Sequence, residues 1–399
     1  MKQNQRNGGV GAATGCVYIQ ASAFERQTSS SPSTQDGSEQ PQRQQIGGTC
    51  WPVVPATGHF KAYVLLPKPG LFAIQLQIAT VSLVLNIRYK IPHTKYIVRF
   101  HYQKPWDSNQ GFDAPPEIDN SDTAAIDRIK FNALVLQTAM AELLHYAGCP
   151  RNTFVLELGD DGLPVVHLLR SQHTSVQARH MEDSELLLRL HEDVCTQGWA
   201  SPSNGGGQLR IKHIVILGGA HINPRTREIY GHKALVDGNL VVLGSCGLHT
   251  WPRGLEELTA CCLNNTRILP QLFLRECAGQ GSYWAKYATG ISVILQLLGR
   301  SCGLTYQYGG VMQPGFHQLN RLLSVFEPTS LVHVSTFTNP IGDGRFSDLD
   351  QLALVAIGQG GVHWDDLSVD ILTVKCAWII SHRRRRSSSL EPRKSAAAA

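Results

Sequence analysis

Charge is scarce in this 399-residue chain: 17% of the residues are charged, and 36 Lys plus Arg against 31 Asp plus Glu leave a formal +5. Residues 382–399 hold six of those bases and one acid, so the rest of the chain carries 30 of each sign. A body with no net charge has no excess with which to line a channel for polynucleotide phosphates, which argues against nucleic acid as a partner. Long apolar runs are also missing. The most apolar stretch, Leu71 to Ile87, is interrupted by Gln75, Gln77 and Asn86, whereas a membrane-crossing helix needs about 20 apolar residues. It reads as strand, and no membrane partner is expected. Met1 to Gly15 is polar and Gly-rich, without the apolar core of a signal peptide. No CxxC occurs among the ten cysteines, and only Cys261 and Cys262 are adjacent. Scattered thiols fit reduced, buried side chains better than a disulfide framework or a thiolate zinc site. The expected compartment is the cytoplasm, or the nucleus if the run Arg383 to Arg386 before Ser387 to Ser389 is an import signal rather than a solvated tail. A Walker-type loop is absent, as is a GxGxxG that opens a helix after a strand, and no serine-hydrolase elbow is expected, so the serine hydrolase, NTPase and dinucleotide readings are set aside.

What is present divides the chain into four parts. Residues 1–48 carry nine Gln and six Ser among Gly, Pro and Thr, a composition that buries too little apolar surface to offset chain entropy, so disorder is expected. Residues 49–110 form a β-rich N-terminal region, with Phe60–Leu66 and Leu71–Tyr89 as strands around the Pro67–Gly70 turn. Residues 111–345 hold the main domain. Its Thr123–Ala147 is rich in helix formers and is stopped by Gly148. Thr153–Leu158 and Pro164–Leu169 flank an Asp160-Asp161-Gly162 hairpin turn. A helix is expected over Ser184–Cys195 behind Asp183, a flexible loop over Ser201–Gly207 and a strand over Arg210–Leu217. Residues 284–298 are apolar nearly all round, which marks a core helix. Helices interleaved with strands in this way imply an α/β or α+β core.

At that helix the chain resembles a known family. Gly299-Arg300-Ser301-Cys302-Gly303, followed by Gly310-Val311-Met312, is similar to the scaffold of the zincin motif HExxHxxGxxH with its later Met turn. Separate stretches resemble a fungal family of zincin-like zinc metallopeptidases. They are residues 58–66, 112–116, 136–138 with Ala141 and Glu142, 164–167, 250–252, 281–285, and Gly310-Val311-Met312 with Asn320-Arg321. The resemblance runs from about residue 50 to 345. It implies a zincin-like metallopeptidase core, zinc as the family's cofactor and an extended peptide or protein as partner.

The chemistry of the motif is altered. Two histidines one helical turn apart aim both imidazoles at one zinc, the intervening Glu is the general base, and the Gly lets the chain turn toward a third His. Aligned on the glycines, Gln296 stands at the first His, Leu297 at the general base, Arg300 at the second His and Tyr306 at the third, while Gly303 and Met312 keep their places. An amide is a weak zinc ligand, Leu297 has no proton to exchange, and a guanidinium repels a divalent cation. The expectation is therefore no catalytic residue, no metal ligand and no cofactor: a pseudopeptidase whose cleft still binds peptide by strand pairing. Two alternatives stand beside it. One is an active metallopeptidase with unrecognised ligands, for instance Tyr306 with His213 or His221; the other is a non-functional, truncated or misjoined gene product.

Lesser signals have plainer readings. His191-Glu192, with Cys195 four residues after the His, sits in a charged helix and reads as a solvated face. His213, His221 and His232 read as structural histidines, and Cys246 near His249 as a packed thiol. Gly358–Gly361 with Trp364-Asp365-Asp366 resembles the opening strand and turn of a jacalin-like lectin domain, which members of the family carry at the C-terminus. Residues 346–399 are therefore read as a partial lectin-like start and a basic low-complexity tail, too short for a carbohydrate site.

Overall fold

The computed structural model describes residues 16–24, 43–54, 58–78, 80–197, 209–274, 281–313, 318–328, 352–354 and 362–380. Four antiparallel strands come first: β1 (Cys16–Phe24), β2 (Arg43–Pro52), β3 (Gly70–Ile78) and β4 (Val81–Tyr89), in the order β2-β1-β3-β4. The expectation of disorder over residues 1–48 fails for β1 and β2. β1 pairs with β2 along its length and with β3 from Tyr18 to Phe24, and this ladder gives the backbone partners that composition alone does not reveal. Phe60–Leu66 is not a strand: Phe60 makes one bridge to Val53 and the rest is irregular. Trp51, Val53, Phe72 and Ile74 of this region are buried in the main core.

A second sheet of five strands follows the order β10-β11-β7-β5-β6. Its strands are β5 (Tyr96–Pro105), β6 (Val166–Ser171), β7 (Arg210–Leu217), β10 (Ala234–Asp237) and β11 (Leu240–Gly244). A small hairpin of β8 (His221–Ile222) and β9 (Ile229–Tyr230) intervenes. The four strands from β11 to β6 are parallel, and β10 closes one edge antiparallel to β11. Because β5 is interior to this sheet, the expected division at residue 110 is displaced to before Tyr96. Thr153–Leu158, read as a strand, makes only isolated bridges, among them Leu158 to Pro164 across the predicted turn.

Helices cover both faces, as buried parallel strands require. On one face lie α1 (Asp122–Tyr146) and α5 (Tyr283–Ser301), whose apolar side chains share a cluster with Val98, Phe100, Ile214, Ile216, Val241 and Leu243. The other face is covered by α3 (Asp183–Thr196), which follows the short α2 (Ser175–His180); Leu186, Leu190 and Val194 pack on Leu169, Val215 and Val242. Ser121 caps α1 by accepting from the Ala124 N–H at 3.2 Å, and the helix starts at Asp122, one residue before the predicted Thr123. The α3 N-cap is Glu182 rather than the predicted Asp183, which is the first helical residue. The remaining elements are α4 (Leu255–Leu263), α6 (Asn320–Leu323), the pair β12 (Phe326–Pro328) and β13 (Leu352–Leu354), and α7 (Asp366–Asp370), which continues into a π turn at Ile371–Lys375. The architecture is thus an α+β core with an N-terminal β region, as the sequence implies.

Two local expectations change. Asp365 does not open a lectin-like strand and turn: its carboxylate caps α7, accepting from the Ser368 N–H at 3.0 Å, and Val362, Trp364, Leu372 and Ile379 enter the main core. Gly358–Gly361, the Ser201–Gly207 loop and the basic tail lie outside the described residues. Cys50 is disulfide-bonded, whereas Cys149, Cys195, Cys246, Cys261, Cys262, Cys302 and Cys376 are free. Disulfides persist where thiols are oxidised, so cysteine usage no longer argues for a reducing compartment. Among the described residues no helix is long and apolar enough to cross a membrane.

Candidate functional site

The altered motif closes α5. Cys302 is the C-cap, Gly303 follows at φ +94°, and the N–H groups of Gly303 and Leu304 bond the carbonyls of Arg300 and Gly299 at 2.9 and 3.0 Å. This is a Schellman closure, which requires a residue free to adopt a left-handed conformation. The motif glycine thus has a backbone role of its own, independent of any metal. Gly299 serves by close approach: a Cβ there would come within 3.1 Å of the Met312 sulfur and 3.0 Å of Leu304. Met312 is fully buried beneath the helix.

The four altered positions are placed as follows. Gln296 is 5% exposed, and its amide nitrogen donates to the carbonyls of Val311 and Gln313 at 2.6 and 2.7 Å, tying α5 to the Met312 loop. Leu297 is buried in the core cluster. Arg300 lies one turn after Gln296. Its guanidinium stacks on the Tyr306 ring, 5.1 Å from the centroid, and donates to the Tyr306 hydroxyl at 3.4 Å. The expectation of no serine-hydrolase elbow overlooks the letters GxSxG, which Gly299 to Gly303 spell. That elbow needs a strand-to-helix turn; here Ser301 ends a helix and its hydroxyl donates to the Leu298 carbonyl at 2.7 Å.

A cleft of about 570 Å³ runs between α5 and the β10 edge of the sheet. From α5 it is lined by Lys286, Thr289, Gly290, Val293, Gln296 and Leu297, and opposite these by Lys233, Ala234, Leu243 and the Ser245–Leu248 turn without Cys246. Tyr306 closes one end. Its wall includes one stretch that carries the resemblance, residues 250–252: Arg128 and Asn132 of α1 donate to the carbonyls of Trp251 and Pro252, and Tyr287 of α5 donates to Asn132 at 2.9 Å. Trp251 then stands in the cleft lining.

The donor set does not fit zinc. Gln296 presents N–H groups to two carbonyls, Leu297 presents hydrocarbon, and Arg300 places a fixed positive charge where a ligand would stand. The alternative pairing of Tyr306 with His213 is divided by the sheet. Side chains alternate along β7, with Ile214 and Ile216 on the α5 face and His213, Val215 and Leu217 toward α3. His221 is in the β8–β9 hairpin, its ring 5.2 Å from that of Tyr230, and His232 lines the cleft. His191 meets Asp237 at 3.3 Å and Glu192 pairs with Arg189 at 3.0 Å, on an exposed face that ends at Cys195. His249 is buried against Phe273 and Tyr283, its Nδ1 3.1 Å from the Asp113 carbonyl. Among the described residues no group of three or more His, Cys, Asp or Glu side chains is arranged to hold a metal ion.

A cluster of ionisable side chains lies away from the cleft, on the α3 face. Glu157 pairs with Arg99 at 2.6 Å and with His167 at 2.8 Å, and His101 Nε2 lies 2.9 Å from His213 Nδ1. Burial pushes the Glu157 carboxyl up, but hydrogen bonds from His167 and Arg99 outweigh it and bring the pKa down to about 2. His213 is lowered to about 4 by burial and by the Arg99 charge, and His101 falls well below its ordinary value by burial and the His213 charge. His249 is likewise lowered to about 4, chiefly by burial. The sequence reading misses this cluster. Its signal is the alternation Arg99, His101, Gln103 between apolar Val98, Phe100 and Tyr102.

The Metallopep model, described as "Putative peptidase family", matches residues 14–356. A protein of Schizosaccharomyces pombe named "Putative zinc metalloproteinase" is 24% identical over 266 residues, which are 62% of this chain and 42% of that protein. A Saccharomyces cerevisiae protein of the same name is 32% identical over 116 residues, 28% of this chain and 17% of its own length. The chain therefore spans less than half the length of either relative. Among solved structures, wild-type OgpA from Akkermansia muciniphila is 10% identical with a TM-score of 0.41, over 74% of this chain and 65% of that one. Catalytically inactive OgpA in complex with an O-glycopeptide substrate is 11% identical with a TM-score of 0.36, over 57% and 56%.

Proposed function

The chain belongs to the Metallopep family of peptidases, and from that premise we propose that it is a pseudopeptidase: a peptide-binding protein that neither holds zinc nor hydrolyses peptides. One observation carries the reading. Gln296, which the resemblance to the zincin motif aligns with its first zinc ligand, spends its amide donors on the Val311 and Gln313 carbonyls, and Arg300, aligned with the second, is a guanidinium stacked on Tyr306. Such a set offers a metal only the weak oxygen ligands of an amide and a phenol beside a fixed positive charge, and it offers no base for water.

What remains for a peptide is the cleft. Its sheet-side wall ends in β10, whose outer edge has no strand partner among the described residues. An extended chain adds to such an edge by main-chain hydrogen bonds, and side chains pointing alternately into and out of the cleft supply selectivity. Trp251, Leu243, Leu248 and Val293 give the cleft an apolar floor.

Hydrogen exchange tests this reading. An extended peptide added in excess is expected to slow amide exchange in residues 233–237 and around Tyr306, while peptide products stay at the no-enzyme level with and without added zinc. Zinc-dependent cleavage, or protection confined to surfaces away from β10, overturns it.

A further inference from the structure

Resting on the peptide-binding reading of the cleft, we infer that Arg300 anchors a carboxylate of the bound peptide, so that the motif has exchanged a metal for a guanidinium anion site. The cleft-facing stripe of α5 runs Lys286, Gly290, Val293, Leu297 at spacings of three and four, and Arg300 is its next member. It stands at the cleft end formed by Tyr306, whose ring and hydroxyl hold the guanidinium plane.

Among the described residues Arg300 pairs with no carboxylate; its hydrogen bond to Tyr306 uses one N–H of the five that the group carries. The rest are left in a planar fork, the geometry that binds a carboxylate through two parallel bonds. No Asp or Glu is found in the described lining of the cleft, whereas Lys233 and Lys286 are. Lys233 is paired with Asp183 at 2.5 Å, so the anion-seeking group at the Tyr306 end is Arg300. A stacked guanidinium is held in place before the ligand arrives, and less side-chain freedom is lost on binding. The shared chemistry is a peptide carboxylate, from an acidic side chain or from a free C-terminus.

The test uses the full chain and three fluorophore-tagged peptides of alternating Thr and Val, followed by anisotropy. The first has a central Glu and an amidated C-terminus, the second a central Gln and an amidated C-terminus, the third a central Gln and a free C-terminus. At least one carboxylate-bearing peptide is expected to bind about tenfold tighter than the second at low salt. Whichever does so identifies the source. The preference should shrink to within about twofold in Arg300→Gln and persist in part in Arg300→Lys, which keeps the charge without the fork. Equal binding of all three peptides, or a preference unchanged in Arg300→Gln, overturns the carboxylate site and leaves the peptide cleft standing. Absence of binding by all three removes the peptide-binding reading, and this inference with it.

Discussion

Replacing Gln296 by Leu isolates what the first ligand position now does. Leu is close in volume, so packing changes little, but both hydrogen bonds to the Met312 loop are lost. The bond to the Val311 carbonyl is buried, and that to the Gln313 carbonyl is partly buried. A buried acceptor left without a donor costs about 1–3 kcal/mol, and a partly wetted one toward the lower end of that range. The expected loss is therefore about 2–4 kcal/mol, read as a lower urea midpoint with an unchanged m-value. Gln296→Glu should cost more at neutral pH, because it turns an acceptor toward two acceptors, and should recover part of the loss as the carboxyl is protonated in acid. A change within about 0.5 kcal/mol for Gln296→Leu would refute the claim that this side chain holds the loop to the helix.

Acid should destabilise the fold in two windows. Folded His213 and His249 titrate near 4, below an ordinary 6.5, so the unfolded chain binds their protons more readily; their contribution is full above about 6.5 and is lost as pH falls toward 4. The loss is on the order of 3 kcal/mol for each. Glu157, held near 2 from an ordinary 4.5, contributes above about 4.5 and loses that contribution as pH falls toward 2. Urea midpoints from circular dichroism between pH 7 and pH 4 should fall steadily, and less steeply in His213→Asn; a flat profile contradicts the buried neutral assignment. A rescue variant, Gln296→His, Leu297→Glu, Arg300→His and Tyr306→His together, should bind zinc by calorimetric titration with little or no casein cleavage, since removing the guanidinium and adding imidazoles supplies ligands but no second shell. If this variant folds and still ignores zinc, residues 296–306 do not form a zincin scaffold.

The parts of the fold legible in the sequence are those whose pattern and punctuation agree. The α1 helix stops at its glycine, β7 covers the predicted Arg210–Leu217, and α5 extends the predicted 284–298 by one residue at its start and three at its end. Where a pattern depends on distant partners, the reading fails. Phe60–Leu66 has strand composition but binds elsewhere: Lys61 donates to the Arg321 and Ser324 carbonyls and Tyr63 to that of Leu322. Conversely, β1 and β2 lie in Gln-rich sequence and are strands because of their ladder. At the site, the motif residues can be read from spacing on one helix. The facing wall cannot, because the four residues of β10 carry no signal until β11 and α5 are placed beside them. The histidine cluster is assembled from three strands far apart in sequence, which periodicity within any one of them does not disclose.

Elemental analysis of the full-length chain, purified without chelator and dialysed against zinc at low micromolar concentration, is the most direct test of the altered motif. With an amide engaged by the Met312 loop, a leucine and a guanidinium in place of two imidazoles and a carboxylate, the bound zinc should stay below about a tenth of an equivalent. One equivalent of zinc, removed by chelator together with a fall in thermal stability, would contradict the account and return the chain to the metal-binding peptidases.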